Sequence, residues 1–183
     1  DTQVSKDNQV VVHHDQTINR TLCRNSKARP PAKNLYLRSL TLEQIKSYDC
    51  GGIANPDFPN QKAIPGTKIP SLEEVFQLVK NSKAAYADQV LFNIEIKSNP
   101  KKPDAQPEPA TFARLIIELV QKYELQDRVT LQSFDHRTLI AAHKIAPKIT
   151  RSALFGQRPR KPLEATLKAR SSVFSPYHKW LTE

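Results

Sequence analysis

From residue 71 onward, short runs of β-forming residues alternate with amphipathic helical stretches, and this alternation constrains the fold more than any other feature of the sequence. Ser71-Leu-Glu-Glu74 follows Pro70 and reads as a capping box, opening a helix to about Asn81 with Leu72, Val75, Phe76 and Val79 on one face. Val90 to Lys97 is strand-like. From Ala110, the recurrence of Phe112, Leu115, Ile116, Leu119, Val120 and Tyr123 predicts a helix with one apolar stripe. Arg128 to Ser133 predicts a strand, Asp135 caps a helix to about Ile145, and Ile149 to Leu154 is again a strand. A short helix at Pro162 to Ala169 and a strand at Ser172 to Ser175 continue the pattern. Parallel strands need crossover connections, so the expected class is α/β with a parallel sheet.

The first seventy residues read differently. Gln9 to His14 is a strand, and the turn-prone Lys6-Asp7-Asn8 before it predicts a hairpin. Residues 16–38 are polar and cationic with Pro30-Pro31, and Asn55 to Pro70 is rich in proline, so both are loops. Between them Thr41 and Gln44 form a second capping box, for a small helix from Thr41 to Tyr48. The expected organisation is a single domain over residues 1–183, with a loop or cap insertion at about 16–68. Such a chain, with 38% hydrophobic residues, buries a real core. Its 183 residues include no methionine, so a processed chain or a fragment is expected.

Composition removes several functions. Only four glycines are present, and no Gly-x-Gly-x-x-Gly, so a dinucleotide fold or glycine-rich phosphate loop has no support. Two cysteines exclude a disulfide-dense scaffold and a four-cysteine zinc site. No apolar run approaches the roughly 18 residues of a membrane span, so no stable membrane insertion is expected. Twenty-eight Lys and Arg against 18 Asp and Glu give +10, which favours polyanions, phosphate-bearing ligands or anionic membrane surfaces as neighbours without choosing among them. From Lys144 to Arg170 only Glu164 is acidic. Without interleaved aromatics or a nucleic-acid motif, that stretch reads as a solvated basic face, and no nucleic-acid partner is expected.

In parallel α/β barrels functional groups gather at the carboxyl ends of the strands, which puts weight on His14, Glu95, Lys97 and Ser133. Glu95 and Lys97 are two apart and share one face of their strand, while Ile94 and Ile96 share the other. Opposite charges facing a barrel interior require each other, a metal or a ligand. An exposed edge strand is the other reading. His13 and His14 are adjacent on a strand and point to opposite sides, so only one shares a pocket with Glu95.

The blocks Asp1, Val10-Val11-Val12-His13-His14-Asp15 with Asn19-Arg20-Thr21, Leu40-Thr41-Leu42, Ile69-Pro70-Ser71-Leu72-Glu73-Glu74-Val75, Ile94-Glu95-Ile96-Lys97 and Gln132-Ser133-Phe134 occur in an order that resembles the glycerophosphodiester phosphodiesterase family. The resemblance implies a TIM-type (β/α) barrel, incomplete in this chain, that hydrolyses glycerophosphodiesters to glycerol 3-phosphate and an alcohol with a divalent cation, Ca²⁺ or Mg²⁺, and two histidines. Carried over by position, Asp1 and Glu95 match metal carboxylates, His14 the second catalytic histidine, Lys97 the lysine beside the phosphate, and Phe134 a substrate contact. The family's His-Arg pair, the first glutamate of its metal motif and its closing Trp-Thr block have no match here. Trp180 instead follows a Ser175-Pro-Tyr block. The chain alone is therefore expected to be inactive.

Cys23 and Cys50 fall in the segment that caps the pocket in this family. A disulfide between them would suit a periplasmic or secreted enzyme; two free buried thiols in the cytoplasm are the alternative. Two other functions stay open at this point: a phospholipase D-like relative on the same barrel that releases cyclic phosphates, and a non-catalytic module binding phospholipid head groups or polyanions.

Overall fold

The computed structural model describes residues 1–181. Strand β1 (Thr2–Val4) and strand β2 (Val10–Val12) pair antiparallel with Thr2 opposite Val12 and Val4 opposite Val10. The reversal combines backbone bonds, Ser5 N to Gln9 O at 2.9 Å and Asn8 N to Ser5 O at 3.1 Å, with a side-chain bond. Ser5 Oγ accepts from Gln9 N at 2.9 Å, and Asn8 takes a positive φ of 60°, a conformation asparagine tolerates better than most residues.

Both capping boxes form. Thr41 and Gln44 open α1 (Leu42–Lys46), and Ser71 and Glu74 open α2 (Leu72–Lys80), each pair satisfying two otherwise orphaned N–H groups. Three βα units and a fourth strand follow: β3 (Phe92–Glu95), α3 (Pro109–Lys122), β4 (Val129–Ser133), α4 (His136–Ile145), β5 (Thr150–Leu154), α5 (Pro162–Lys168) and β6 (Val173–Ser175). The strands are all parallel, in the order β3-β4-β5-β6. Thr2 bridges Ile96 in parallel, and its Oγ1 donates to Glu95 O at 2.7 Å. The hairpin therefore continues the sheet beyond β3. Among the described residues the sheet does not close on itself, and β6 is its other edge. The result is an open arc of a βα barrel.

Residues 16–68 leave the sheet and come back to it at neighbouring rungs, because Val11 bridges Ser71 and Val12 N donates to Pro70 O at 2.8 Å. The excursion has its own small core of Ile18, Cys23, Leu37, Ile45 and Ile69, packed under Val11. The main core lies between the sheet and its helices, with Phe76, Phe112, Ile116, Leu131 and Leu139 fully buried. Each such side chain contributes roughly 1.5–3 kcal/mol through burial.

Three local expectations change. α3 buries Ala113 and Ile117 with Phe112, Ile116 and Val120, whereas Leu115, Leu119 and Tyr123 are only half-buried. The helix packs against α4 as well as the sheet, so its inward face is rotated towards the small residue that permits close approach. β3 is shorter than Val90 to Lys97: a 3-10 turn at Ala87–Gln89 precedes it, Val90 and Leu91 are exposed, and pairing with β4 starts at Phe92. The basic stretch is not solvated throughout, because Arg151 is buried on β5. Its guanidinium donates to the carbonyls of Arg170 (2.6 Å), Pro147 (3.0 Å) and Ile149, so its buried charge is surrounded by backbone acceptors.

Candidate active site

Strand parity builds the centre of the site. Ile94 and Ile96 point into the core, so Glu95 and Lys97 emerge together on the opposite side at the carboxyl end of β3. Their side chains are only 12% and 19% exposed and lie 3.2 Å apart, each offsetting the desolvation of the other. The Thr2 bridge covers this strand, which removes the exposed-edge reading.

Lys97 Nζ also lies 3.1 Å from His14 Nε2, just beyond β2. A lysine ammonium has donors and no acceptor, so Nε2 accepts and the ring proton sits on Nδ1. Nδ1 in turn donates to Asp15 Oδ1 at 2.7 Å. Behind the histidine, fully buried Gln3 donates from Nε2 to His14 O at 3.1 Å and fixes the backbone. His13 points elsewhere: its Nδ1 accepts from Asp15 N at 3.1 Å, and burial lowers its pKa, partly opposed by its contacts with Asp15.

Asp1 stands just before β1, next to Thr2, whose Oγ1 donates to Glu95 O. Ser133, given weight as a strand-end polar residue, does not serve the site. It is fully buried, donates to Ile96 O at 2.7 Å and accepts from Asp135 N at 3.1 Å, so it ties β3 to β4.

Phe134, next along the chain, is 55% exposed and borders a cleft of about 570 Å³ above the strand ends. Asp135 closes the floor. It accepts Ser98 Oγ at 2.6 Å and two Arg137 N–H groups at 2.8 and 2.9 Å. Burial works to raise its pKa, but the hydrogen bonds from Arg137 and Ser98 outweigh it and hold the carboxyl below its ordinary value.

The far wall comes from the excursion, through Asn34 and Tyr36. That wall is stapled by a disulfide between Cys23 and Cys50, whose Cα atoms are 4.0 Å apart. Gln3, Asp15 and Tyr36 carried no assigned role in the sequence reading. Gln3 had a signal in its two-residue spacing from Asp1, and Asp15 in its place after His14. Tyr36 had none, because only the tertiary fold brings it to the cleft.

Among the described residues no three His, Cys, Asp or Glu side chains lie close enough together to hold a metal ion. Asp1 and Glu95 supply two carboxylates, hard oxygen ligands of the kind that Mg²⁺ and Ca²⁺ both take.

An arc of parallel βα units with acid, lysine and histidine side chains gathered at the strand carboxyl ends is the plan of a TIM-type barrel with its site in the usual place. The chain belongs to the glycerophosphoryl diester phosphodiesterase family, whose sequence profile matches residues 1–182. It is 29% identical over 178 residues to the glycerophosphodiester phosphodiesterase of Caldanaerobacter subterraneus subsp. tengcongensis, covering 97% of this chain and 62% of that protein. To the glycerophosphodiester phosphodiesterase of Bacillus subtilis it is 30% identical over 155 residues, covering 81% of this chain and 46% of that protein. The fold is shared with an Oleispira antarctica phosphodiesterase solved with the product sn-glycerol-3-phosphate. That likeness has a TM-score of 0.72 at 17% identity, over 99% of this chain and 63% of the other. A candidate glycerophosphoryl diester phosphodiesterase from Silicibacter pomeroyi superposes with a TM-score of 0.84 at 22% identity, over 99% of this chain and 64% of the other. The chain thus spans less than two thirds of each of these relatives, and its fold is an incomplete barrel.

Proposed function

We propose that this chain carries most of the active site of an enzyme hydrolysing glycerophosphodiesters to glycerol 3-phosphate and an alcohol. The observation that carries the reading is the continuous contact from Glu95 through Lys97 to His14 at the strand ends, in a chain of this family. Lys97 sets a positive charge where a phosphodiester oxygen would lie. His14 presents an unprotonated Nε2 to the cleft and exchanges a proton with the attacking water or the leaving alkoxide, while Asp15 holds its tautomer and orientation. Phe134 offers an apolar face to the glycerol carbons. Asp1 and Glu95 would hold a divalent cation, which when bound would offset the charge on the phosphodiester oxygens.

One histidine is a partial acid–base pair. His13 is turned away, so the 183 residues alone are expected to turn over poorly or not at all, and a protein of its relatives' length fully. The Cys23–Cys50 bridge supports a periplasmic or secreted setting over a cytoplasmic one. Phosphorus NMR of glycerophosphoethanolamine incubated with Mg²⁺ and the longer protein tests the reaction. Glycerol 3-phosphate that disappears on adding a chelator is the expected result. A cyclic phosphate product would assign it instead to the phospholipase D-like chemistry, and salt-sensitive binding without turnover to the binding module.

A further inference from the structure

The cleft does not stop at Tyr36. A second groove of about 420 Å³ adjoins it, and Tyr36 and Lys102 line both. Its walls are two 3-10 turns in contact, Leu37–Ser39 from the excursion and Pro103–Ala105 from the loop after β3. They are locked together from below. Buried Gln106 accepts from Gln16 Nε2 at 2.7 Å and donates to Asn99 O and Lys102 O at 3.0 and 2.7 Å. The groove is therefore a fixed surface joined to the site, with three cations along it against one carboxylate, Asp104. Arg38 is anchored by Ser5 O and Asn8 Oδ1, whereas Lys101 and Lys102 are exposed and join no ion pair among the described residues.

We infer that this groove is a subsite for the leaving alcohol, and that it selects glycerophosphodiesters whose alcohol bears a further anionic group such as a second phosphate. The inference rests on the hydrolytic reading above. Glycerol is neutral and common to all these substrates, so a charged groove discriminates only through the other arm. A phosphodiester beside Lys97 has that arm directed past Tyr36 and Lys102, each of which borders both spaces. Lys101 and Lys102 meet a negative group there, and the Tyr36 hydroxyl adds a donor. A quaternary ammonium is poorly served. It needs several aromatic faces or a free carboxylate, and the groove has one ring and one acid among three cations.

The test compares two substrates in the protein of its relatives' length: glycerophosphoglycerol carrying a terminal phosphate, and glycerophosphocholine. The wild type is expected to favour the first in kcat/KM, and the preference should shrink as salt is raised from 0.05 to 0.5 M, because screening shortens the reach of both lysines. The double substitution Lys101→Glu with Lys102→Glu should lower the ratio of the two kcat/KM values about 5-fold or more, mainly through KM for the anionic substrate. Turnover of both substrates with a ratio unmoved by charge reversal and by salt would overturn the subsite while leaving the hydrolytic reading in place. No turnover of either substrate by a folded wild type would overturn both.

Discussion

Lys97 Nζ and His14 Nε2 lie 3.1 Å apart although 83 residues separate them in the chain. The lysine is held from the other side by Glu95, so one cation touches both a carboxylate and an imidazole at the strand ends. Substitutions at these three positions should therefore differ in kind as well as in size.

His14→Ala should lower kcat about 100-fold or more, as expected for the loss of an acid–base group. The side chain is 68% exposed, so the urea midpoint should stay within about 0.5 kcal/mol of the wild type. Product release and urea unfolding measured on the same preparation check this, and wild-type turnover would remove the role.

Glu95→Ala should abolish the part of the activity that depends on a divalent cation, because one of the two oxygen donors is gone. Titration with Mn²⁺, followed by its electron paramagnetic resonance signal, should show weakened binding in the variant. Unchanged Mn²⁺ affinity would move the cation away from Glu95.

Replacing both Cys23 and Cys50 by Ser opens a loop with a sequence separation of 27. In the chain-entropy account the loss is about 3 to 4 kcal/mol. Because Asn34 and Tyr36 lie within that loop, KM should rise more than kcat falls. An unfolding curve identical to the oxidised wild type would show that the bridge contributes nothing.

Asp135 makes stability depend on acid. Its folded pKa is depressed, so its contribution is fully present above the unfolded aspartate value of about 3.9 and is lost as pH falls through the lower folded value. Asp135→Asn should cost about 1 to 2 kcal/mol between pH 5 and 7, discounted for the exposure of Arg137. The gap to wild type should narrow as pH falls below the unfolded value of about 3.9 and close once Asp135 is protonated in the folded state as well. Urea midpoints across that range decide it, and a gap that widens in acid would contradict the assignment.

What the sequence disclosed was local or periodic. Both capping boxes are four-residue signals and formed as read, and the two-residue period of β3 placed Glu95 and Lys97 on one side. Relationships that depend on tertiary contact were not legible. Tyr36 and Lys102 meet because Gln16 and Gln106 join two loops 90 residues apart. The apolar stripe of α3 read from spacing leaves out Ala113 and Ile117, which are buried because the helix touches α4 as well as the sheet, a contact its own periodicity does not show. Arg151 looked like one more surface cation, since nothing in its own segment shows that three carbonyls surround it.

The excursion carrying Tyr36 departs and rejoins at adjacent rungs, with Val11 facing Ser71 and Val12 bonded to Pro70. Its two ends thus share one place on the sheet, while Gln16 on Gln106 and Arg38 on Ser5 and Asn8 pin its middle to the loop after β3 and to the hairpin. The entropy cost of lengthening a loop grows only slowly, by about 0.6 kcal/mol per doubling. The free turns between these anchors can therefore change in length without displacing His14 or Lys97, and on the hydrolytic reading proposed above such a change would alter which alcohol fits the cleft.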